Sequence, residues 1–397
     1  MLAEALLDAG HRVTWWVSGF NHRIKQHRVK EPTTINVSDR FAIRIVPTSS
    51  YSKNISLARI WSEIGYATTM LRWSKDESSP DVVMLSEPSL FYRKAALKTI
   101  DRTGAALVLD TLDLWPEMFH IALPSFLQPY GQQIFAPMYA RRARTFARAN
   151  GVIAASSEYA DHARRLAPHI PASLIQTVYF GVDVTDFRRT MQQSGVLPFG
   201  MAFPRERDEI RLIFASTLGN NYDVDTVLAA AECLTRDNIR FHMYIAGTGP
   251  LEPLVASRAG RPPLKRVHFL GNPDANTMAR IYSHCDIGIS AYVAGSRVTM
   301  PIKAFHYCAA GLALVNSLDG EFKKLLSSSG AGVQYCSGEA SSLANAVAQY
   351  ATNPKLLATA RSASYELGKI FDTAILYSRA VELVERIASS HARRFRE

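Results

Sequence analysis

The sequence predicts an α/β protein built from two doubly wound domains, each a parallel sheet wrapped by helices. Three observations lead there. The chain has 397 residues, enough for two cores of ordinary size. Short β-rich apolar runs alternate with helical patterns through most of it, the signature of parallel sheets. The alternation pauses once, in a stretch rich in Pro, Gly and charge at 188–208, and then restarts, which reads as a linker between domains.

In the first half the strand candidates are 12–18, 42–46, 81–85, 105–109, 151–155 and 175–179, with helical patterns such as 57–71 and 134–149 between them. In the second half they are 210–215, 241–246, 267–270, 286–290, 312–316 and 332–335. A closing amphipathic helix at 374–388 sets Ile375, Ala380, Leu383, Val384 and Ile387 near one face. The expected division is 1–200 for the first domain, completed by 371–397, and 201–370 for the second. The opening departs from the pattern. Leu2, Ala5, Leu6 and Ala9 form a helix face closed by Gly10, whereas a doubly wound domain begins with a strand and a tight turn. The first domain is therefore expected to lack its first strand, either because the protein starts earlier or because this version has lost it.

Composition excludes several classes. No run approaches the roughly 20 apolar residues of a membrane span, and Met1–Gly10 carries acids where a signal peptide would not. Cys233, Cys285, Cys308 and Cys336 are scattered without C-x-x-C spacing, so a zinc site or disulfide framework is not expected and a reducing cytoplasm fits. Net charge is +10. Residues 1–200 hold 23 Lys+Arg against 17 Asp+Glu, and 201–397 hold 22 against 18. A surplus this evenly spread argues against a nucleic-acid partner and suits polyphosphate ligands near an anionic membrane. For the basic run Arg141, Arg142, Arg144, Arg148, Arg164 and Arg165, a solvated face and a peripheral contact with anionic lipid both remain open.

Strand-to-helix junctions of parallel sheets bind anions, because helix N-termini present unpaired amides and a positive dipole end. Three junctions in the second half qualify. Ser216-Thr217-Leu218-Gly219 is small and polar, so a phosphate can approach its backbone. Nearby, Asp223-Val224-Asp225 reads first as a helix cap, with D-x-D metal chelation as the alternative. Gly247-Thr248-Gly249-Pro250 is a binding loop or a plain turn. The third, Met300-Pro301-Ile302-Lys303 through Gly311, sets Pro301 as the first helical residue and Gly311 as the stop. Amides near Ile302 and Lys303 would face a diphosphate, the Lys303 ammonium would neutralise departing charge, and His306 would reach a ribose; a short structural helix with a surface lysine is the alternative. In the first half, Asp110-Thr111-Leu112-Asp113-Leu114-Trp115-Pro116-Glu117 follows the strand 105–109, and Ser86-Glu87-Pro88 ends the strand before it. Acids beside a Trp suit sugar hydroxyls; equally, Trp115 is core and the acids cap the next helix.

These segments, in this order, resemble the glycosyltransferase family 4 group of GT-B enzymes, and within it a bacterial branch that builds surface polysaccharides such as lipopolysaccharide. Asp113-Leu114-Trp115-Pro116-Glu117 matches the branch's D-L-W-P-E, and Thr217-Leu218-Gly219 with Tyr222-Asp223 is similar to its G-T-L-G-x-x-Y-D. Gly247-x-Gly249-Pro250, Gly271, Met300-Pro301-x-Lys303, Phe305-x-Tyr307, Ala310-Gly311 and Gly320-Glu321 resemble its remaining elements, as do Tyr51-x-Lys53-Asn54 and Arg59 near the N-terminus. The resemblance covers nearly the whole chain. It implies a UDP- or GDP-sugar donor held by the second domain at Thr217, Gly219, Gly247, Gly249, Met300, Pro301, Ile302 and Glu321. It implies a lipid-linked or polysaccharide acceptor on the first domain at Ser86, Glu87, Trp115 and Glu117. Lys303, His306 and Asp113 are the candidate catalytic residues of a hexosyl transfer that retains configuration and has no obligatory metal or cofactor. The family's two glutamates would fall on Val298 and His306; Ile302 replaces an Asn, Ala313 a Pro, and Thr217 stands where an Arg is common. A non-catalytic relative acting as a binding scaffold is the alternative expectation.

Overall fold

The computed structural model describes residues 2–394, apart from 23, 53–55, 90, 121–122, 194–196, 198–204 and 207. Of the residues and segments named above, Met1, Lys53, Asn54 and much of the 188–208 stretch lie outside the described set. The chain divides into two compact units, one of Met1–Val178 with Tyr377–Glu397 and one of Tyr179–Leu376. The division thus comes before the 188–208 segment, for a packing reason. Helix Val184–Met191 takes up the start of that segment, and its Val184 and Phe187 are buried in the second unit's core with Met278, Tyr282 and Phe305.

In the first unit a two-stranded antiparallel ribbon, Phe20–Asn21 with Gln26–His27, stands apart from the main strands, which are β1 (Val13–Ser18), β2 (Thr33–Ser38), β3 (Phe41–Val46), β4 (Val82–Glu87), β5 (Ala106–Thr111), β6 (Gly151–Ala154) and β7 (Ile175–Thr177). They form two sheets. One has the order β1-β3-β2 and the other β4-β5-β6-β7. All neighbours are parallel except β2, which runs antiparallel to β3 with an irregularity between Asn36 and Ser38. Every residue of β6, and Ala106–Leu109 of β5, is buried, as strands covered on both faces should be. By contrast β1 and β4 are sheet edges with mostly half-exposed side chains. The expected helix 134–149 is broken at Phe135 into Gly131–Ile134 and Ala136–Phe146; Pro137, which cannot donate to a preceding turn, starts the second piece.

The second unit holds one six-stranded parallel sheet. Its strands are β8 (Ile210–Ala215), β9 (Phe241–Ala246), β10 (Val267–Phe269), β11 (Ile287–Ser290), β12 (Ala313–Asn316) and β13 (Gly332–Gln334), in the order β10-β9-β8-β11-β12-β13. Side-chain alternation splits the core. Leu212 and Phe214 face helix Val224–Arg236 on one side of the sheet, while Ile213 and Ala215 pack with Tyr282, Phe305 and Tyr307 on the other. The closing helix, Thr373–Arg394, starts in the second unit and ends in the first. There Leu383 and Ile387 are fully buried.

Candidate active site

Strand order in the second unit reverses between β8 and β11. From β8 the chain proceeds to β9 and β10 on one side, and from β11 to β12 and β13 on the other. Loops leaving the C-terminal ends of two such strands diverge, and the crevice between them is where open parallel sheets bind ligands. Loops 216–223 and 291–301 follow these two strands, and both belong to the segments singled out above.

Tyr307 props the switch point open. Its hydroxyl accepts the Ala215 amide of β8 at 2.9 Å and lies 3.5 Å from the Ile289 carbonyl of β11. The ring rests where a side chain at Gly288 would be; a Cβ there would come within 2.5 Å of it. Ser216 and Ser290, at the ends of these strands, are buried, and their hydroxyls have no partner among the described residues. Buried polar groups left unpaired at a strand end are prepared for something the fold does not supply.

Helix Ile302–Ala310 begins one residue later than expected. Pro301 is its N-cap, not its first residue, and no side chain caps it. Gly311 stops it in the left-handed conformation, as the sequence predicts. The Ala304 amide turns back to the Pro301 carbonyl, and the Ile302 and Lys303 amides have no acceptor among the described residues. Both side chains are exposed. Partial desolvation draws the Lys303 pKa below its ordinary value, and no described carboxylate pairs with its ammonium. A free cation beside unpaired helix amides has the charge and the geometry to receive an anion.

The neighbouring residues divide into contact and support. Thr217 is exposed and Gly219 partly so, both in the loop after β8. Gly247 and Gly249 act instead through backbone approach. At φ values of +140° and +153°, a Cβ on either would strike the Ser216 or Leu218 carbonyl, and Leu218 exchanges hydrogen bonds with Thr248 and Leu251 across the same junction. The Met300 side chain is buried in the core, so any contribution to a donor is through its backbone. Glu321 is buried and starts helix Glu321–Ser329; it accepts a short hydrogen bond from the Tyr179 hydroxyl. Asp223 forms no side-chain cap; its carboxylate accepts the Gly338 amide at 2.8 Å. With Asp225 exposed to solvent, the cap expected there is replaced by a loop-to-loop tie. Among the described residues no cluster of three His, Cys, Asp or Glu side chains could hold a metal.

His306 turns toward its own unit. Its ring packs edge-on to Phe187, 5.6 Å between centres, and Nδ1 lies 3.3 Å from the Ile302 carbonyl. Burial, with the Lys303 charge second, lowers its pKa, so it is neutral at pH 7. Only Nε2 remains for a ribose.

In the first unit the polar groups gather at the ends of β4 and β5. Ser86 and Glu87 pair in register with Asp110 and Thr111. Glu87 is buried; one carboxylate oxygen accepts the Ser89 amide at 3.0 Å, and the other, like the Thr111 hydroxyl, has no described partner. Burial raises the Glu87 pKa and pushes Asp110 up to about 6. Asp113, by contrast, accepts the Leu114 amide within its own loop at 2.8 Å. Glu117 is held bidentately by Arg142 at 2.6 and 2.8 Å, and Arg142 also reaches the Trp115 carbonyl. The Arg59 guanidinium lies over the Trp115 ring, 5.3 Å from its centre. Glu117 is thus a structural ion pair, and one face of Trp115 already carries a cation. Asp110, Arg59 and Tyr307 lie in segments the sequence singled out, without roles of their own, whereas Tyr179 carried no signal beyond its place at the end of a strand candidate. Only Gly288, an isolated glycine inside an apolar strand, signalled that something large sits against β11.

Two α/β units with polar loops at their strand ends make a two-domain, Rossmann-type architecture. A Glycosyltransferase Family 4 model matches residues 1–186, and a Glycosyl transferases group 1 model matches residues 209–353. The chain belongs to the family 4 type of GT-B glycosyltransferases. No curated protein matches its sequence. Among solved structures, sucrose-phosphate synthase from Thermosynechococcus elongatus is similar at TM-score 0.71 and 14% identity, covering 98% of this chain and 92% of that one. An α,α-trehalose 6-phosphate synthase from Burkholderia multivorans is similar at TM-score 0.70 and 11% identity, covering 98% and 95%. HepE from Anabaena, in complex with UDP-glucose, is similar at TM-score 0.58 and 16% identity, covering 87% and 86%. At such identities the likeness is one of fold.

Proposed function

We propose that the protein transfers a hexosyl group from a UDP- or GDP-sugar, held by the second unit, to a lipid-linked or polysaccharide acceptor taken up by the first. One observation carries this reading: the free amides of Ile302 and Lys303 beside an unpaired ammonium, next to the strand-order reversal. The bond from the anomeric carbon to the diphosphate breaks, and the electron pair leaves with the phosphate. Negative charge then grows where the Lys303 ammonium and the helix amides point, the arrangement that favours a transition state over bound substrate. Positive charge grows on the sugar as an oxocarbenium-like centre. The acceptor hydroxyl adds its oxygen on the face the phosphate leaves and passes its proton to the departing phosphate oxygen, so configuration is retained. Because ammonium and amides meet the diphosphate charge, the transfer needs no divalent ion. The UDP-glucose in the Anabaena relative and the UDP with GlcNAc in a pneumococcal O-GlcNAc transferase of the same fold support a nucleotide-sugar donor. On the acceptor side, Asp110, with its pKa near 6, and Glu87 are the acids best placed to orient sugar hydroxyls. Cell-surface polysaccharide synthesis on the cytoplasmic side of a membrane is the setting that fits such an acceptor.

The test is turnover by the full chain. UDP- and GDP-hexoses are supplied with EDTA, with and without polyprenyl-linked saccharide, and the anomeric configuration of released or transferred sugar is read by NMR. Retained product in EDTA is expected; inverted product, or turnover only with added metal, overturns the mechanism. A scaffold without catalysis is the second reading, favoured by the His306 ring packing against Phe187 where the family resemblance places a carboxylate. Any turnover removes it.

A further inference from the structure

The segment 125–148 of the first unit presents an apolar stretch followed by a cationic one. Phe126, Tyr130 and Ile134 are 74%, 59% and 43% exposed and recur every fourth residue. The backbone winds helically through Gln128–Tyr130, Gly131–Ile134 and Ala136–Phe146. Hydrogen bonds from the Phe135 amide to Gly131 and from the Tyr139 amide to Phe135 carry the winding across the break. Helical spacing then continues the same side from Ile134 to Arg141, Arg144 and Arg148. Arg148 pairs with Asp101, while Arg141 and Arg144 are exposed and have no described carboxylate partner. The opposite side is anchored: Arg142 holds Glu117, Phe146 is buried, and Phe135 stacks on His120. The exposed side is therefore held in place by the fold.

We propose that this side seats on an anionic lipid bilayer, with Phe126, Tyr130 and Ile134 entering the headgroup–acyl boundary and Arg141 and Arg144 meeting lipid phosphates. Apolar side chains this exposed and contiguous mark an interaction surface. The two free cations beside them complement an anionic headgroup layer, and aromatic tips beside basic residues are the pattern of interfacial binding. The inference deepens the lipid-linked acceptor reading and rests on it for its purpose.

The experiment is sedimentation of the full chain with sugar-free vesicles, either phosphatidylglycerol mixed with phosphatidylcholine or phosphatidylcholine alone. Binding to the anionic vesicles that weakens with salt is expected. Arg141→Gln with Arg144→Gln should lose about fivefold per arginine, and Phe126→Ser with Ile134→Ser at least tenfold. Phe126→Trp keeps the surface intact, and brominated lipid should quench its added fluorescence. Absence of binding to anionic vesicles, undiminished binding by both variants, or no quenching overturns the proposal. So does a solution dimer that Phe126→Ser dissociates, which would assign the surface to a second copy. UDP and GDP binding, measured separately without vesicles, reports on the donor reading alone.

Discussion

In the proposed function Lys303 is the residue on which the chemistry turns, and its environment makes two effects separable. The side chain is exposed and unpaired, so Lys303→Ala should leave the melting temperature within a degree or two. A charge-assisted contact to phosphate is worth about 1.5–3 kcal/mol, so the same substitution should weaken nucleotide diphosphate binding about 10- to 100-fold. Equal losses in stability and affinity would contradict this. His268 supports a different kind of prediction. Its ring stacks with Tyr244 and hydrogen-bonds His242, and burial, with His242 second, lowers its pKa to about 4. The folded pKa lies below the unfolded value of about 6.5, so its neutral form stabilises the fold above that pH. This contribution fades as pH falls from there toward 4. His268→Phe keeps the stack without the proton site; its melting temperature should fall less between pH 7 and pH 5 than that of the unsubstituted protein. Parallel pH curves would show that the imidazole is not protonated on unfolding. The sequence made Lys303 and Gly311 legible because a helix between proline and glycine has local signals. The packing of His306 on Phe187 was not legible, because Phe187 is more than a hundred residues away and no local pattern reports that contact.

At the level of elements, every strand of the second unit was legible to within a residue or so; the four inner strands, buried almost throughout, read as apolar runs. The miss was β2, whose Ile35 and Val37 are exposed and whose polar residues resemble a loop. An edge ribbon solvated on both sides leaves no burial pattern to read. The loop after β9 was found by its glycines, the one after β8 by its small polar run, and the one after β11 by Pro301 and Gly311; at Gly247 and Gly249 the missing side chain permits close backbone approach. Gly247 lets the β9 loop press against Ser216, and a methyl group there would overlap the Ser216 carbonyl at 1.8 Å. Gly247→Ala should therefore cost about 3 kcal/mol and abolish donor binding with it. Tyr307→Phe removes the bond from the Ala215 amide and the long one to the Ile289 carbonyl and should cost about 1–2 kcal/mol, measured by chemical denaturation. If Gly247→Ala proves milder than Tyr307→Phe, the loop does not hold the switch-point strands as described.

For the whole molecule, the consequential feature is one helix shared between two units. Thr373–Arg394 leaves the second unit and buries Leu383 and Ile387 in the first, where the Ile387 side chain fills the space a side chain on Gly151 would need. Ile387→Ala should destabilise the first unit by about 2–4 kcal/mol, seen as a lowered transition in calorimetry, while donor affinity is unchanged. A lost affinity would mean that the donor site depends on more than the second unit. The closing helix and the two-unit plan were readable from periodicity, whereas the division at Val178 was not, because it depends on where Phe187 packs. The most direct measurement of the whole account is calorimetric titration of the full-length protein with UDP and with GDP in EDTA, repeated with Lys303→Ala. The account predicts metal-free binding of one of the two nucleotides, weakened at least tenfold by the substitution. Failure of the folded protein to bind either nucleotide, or equal affinity in the variant, would contradict it.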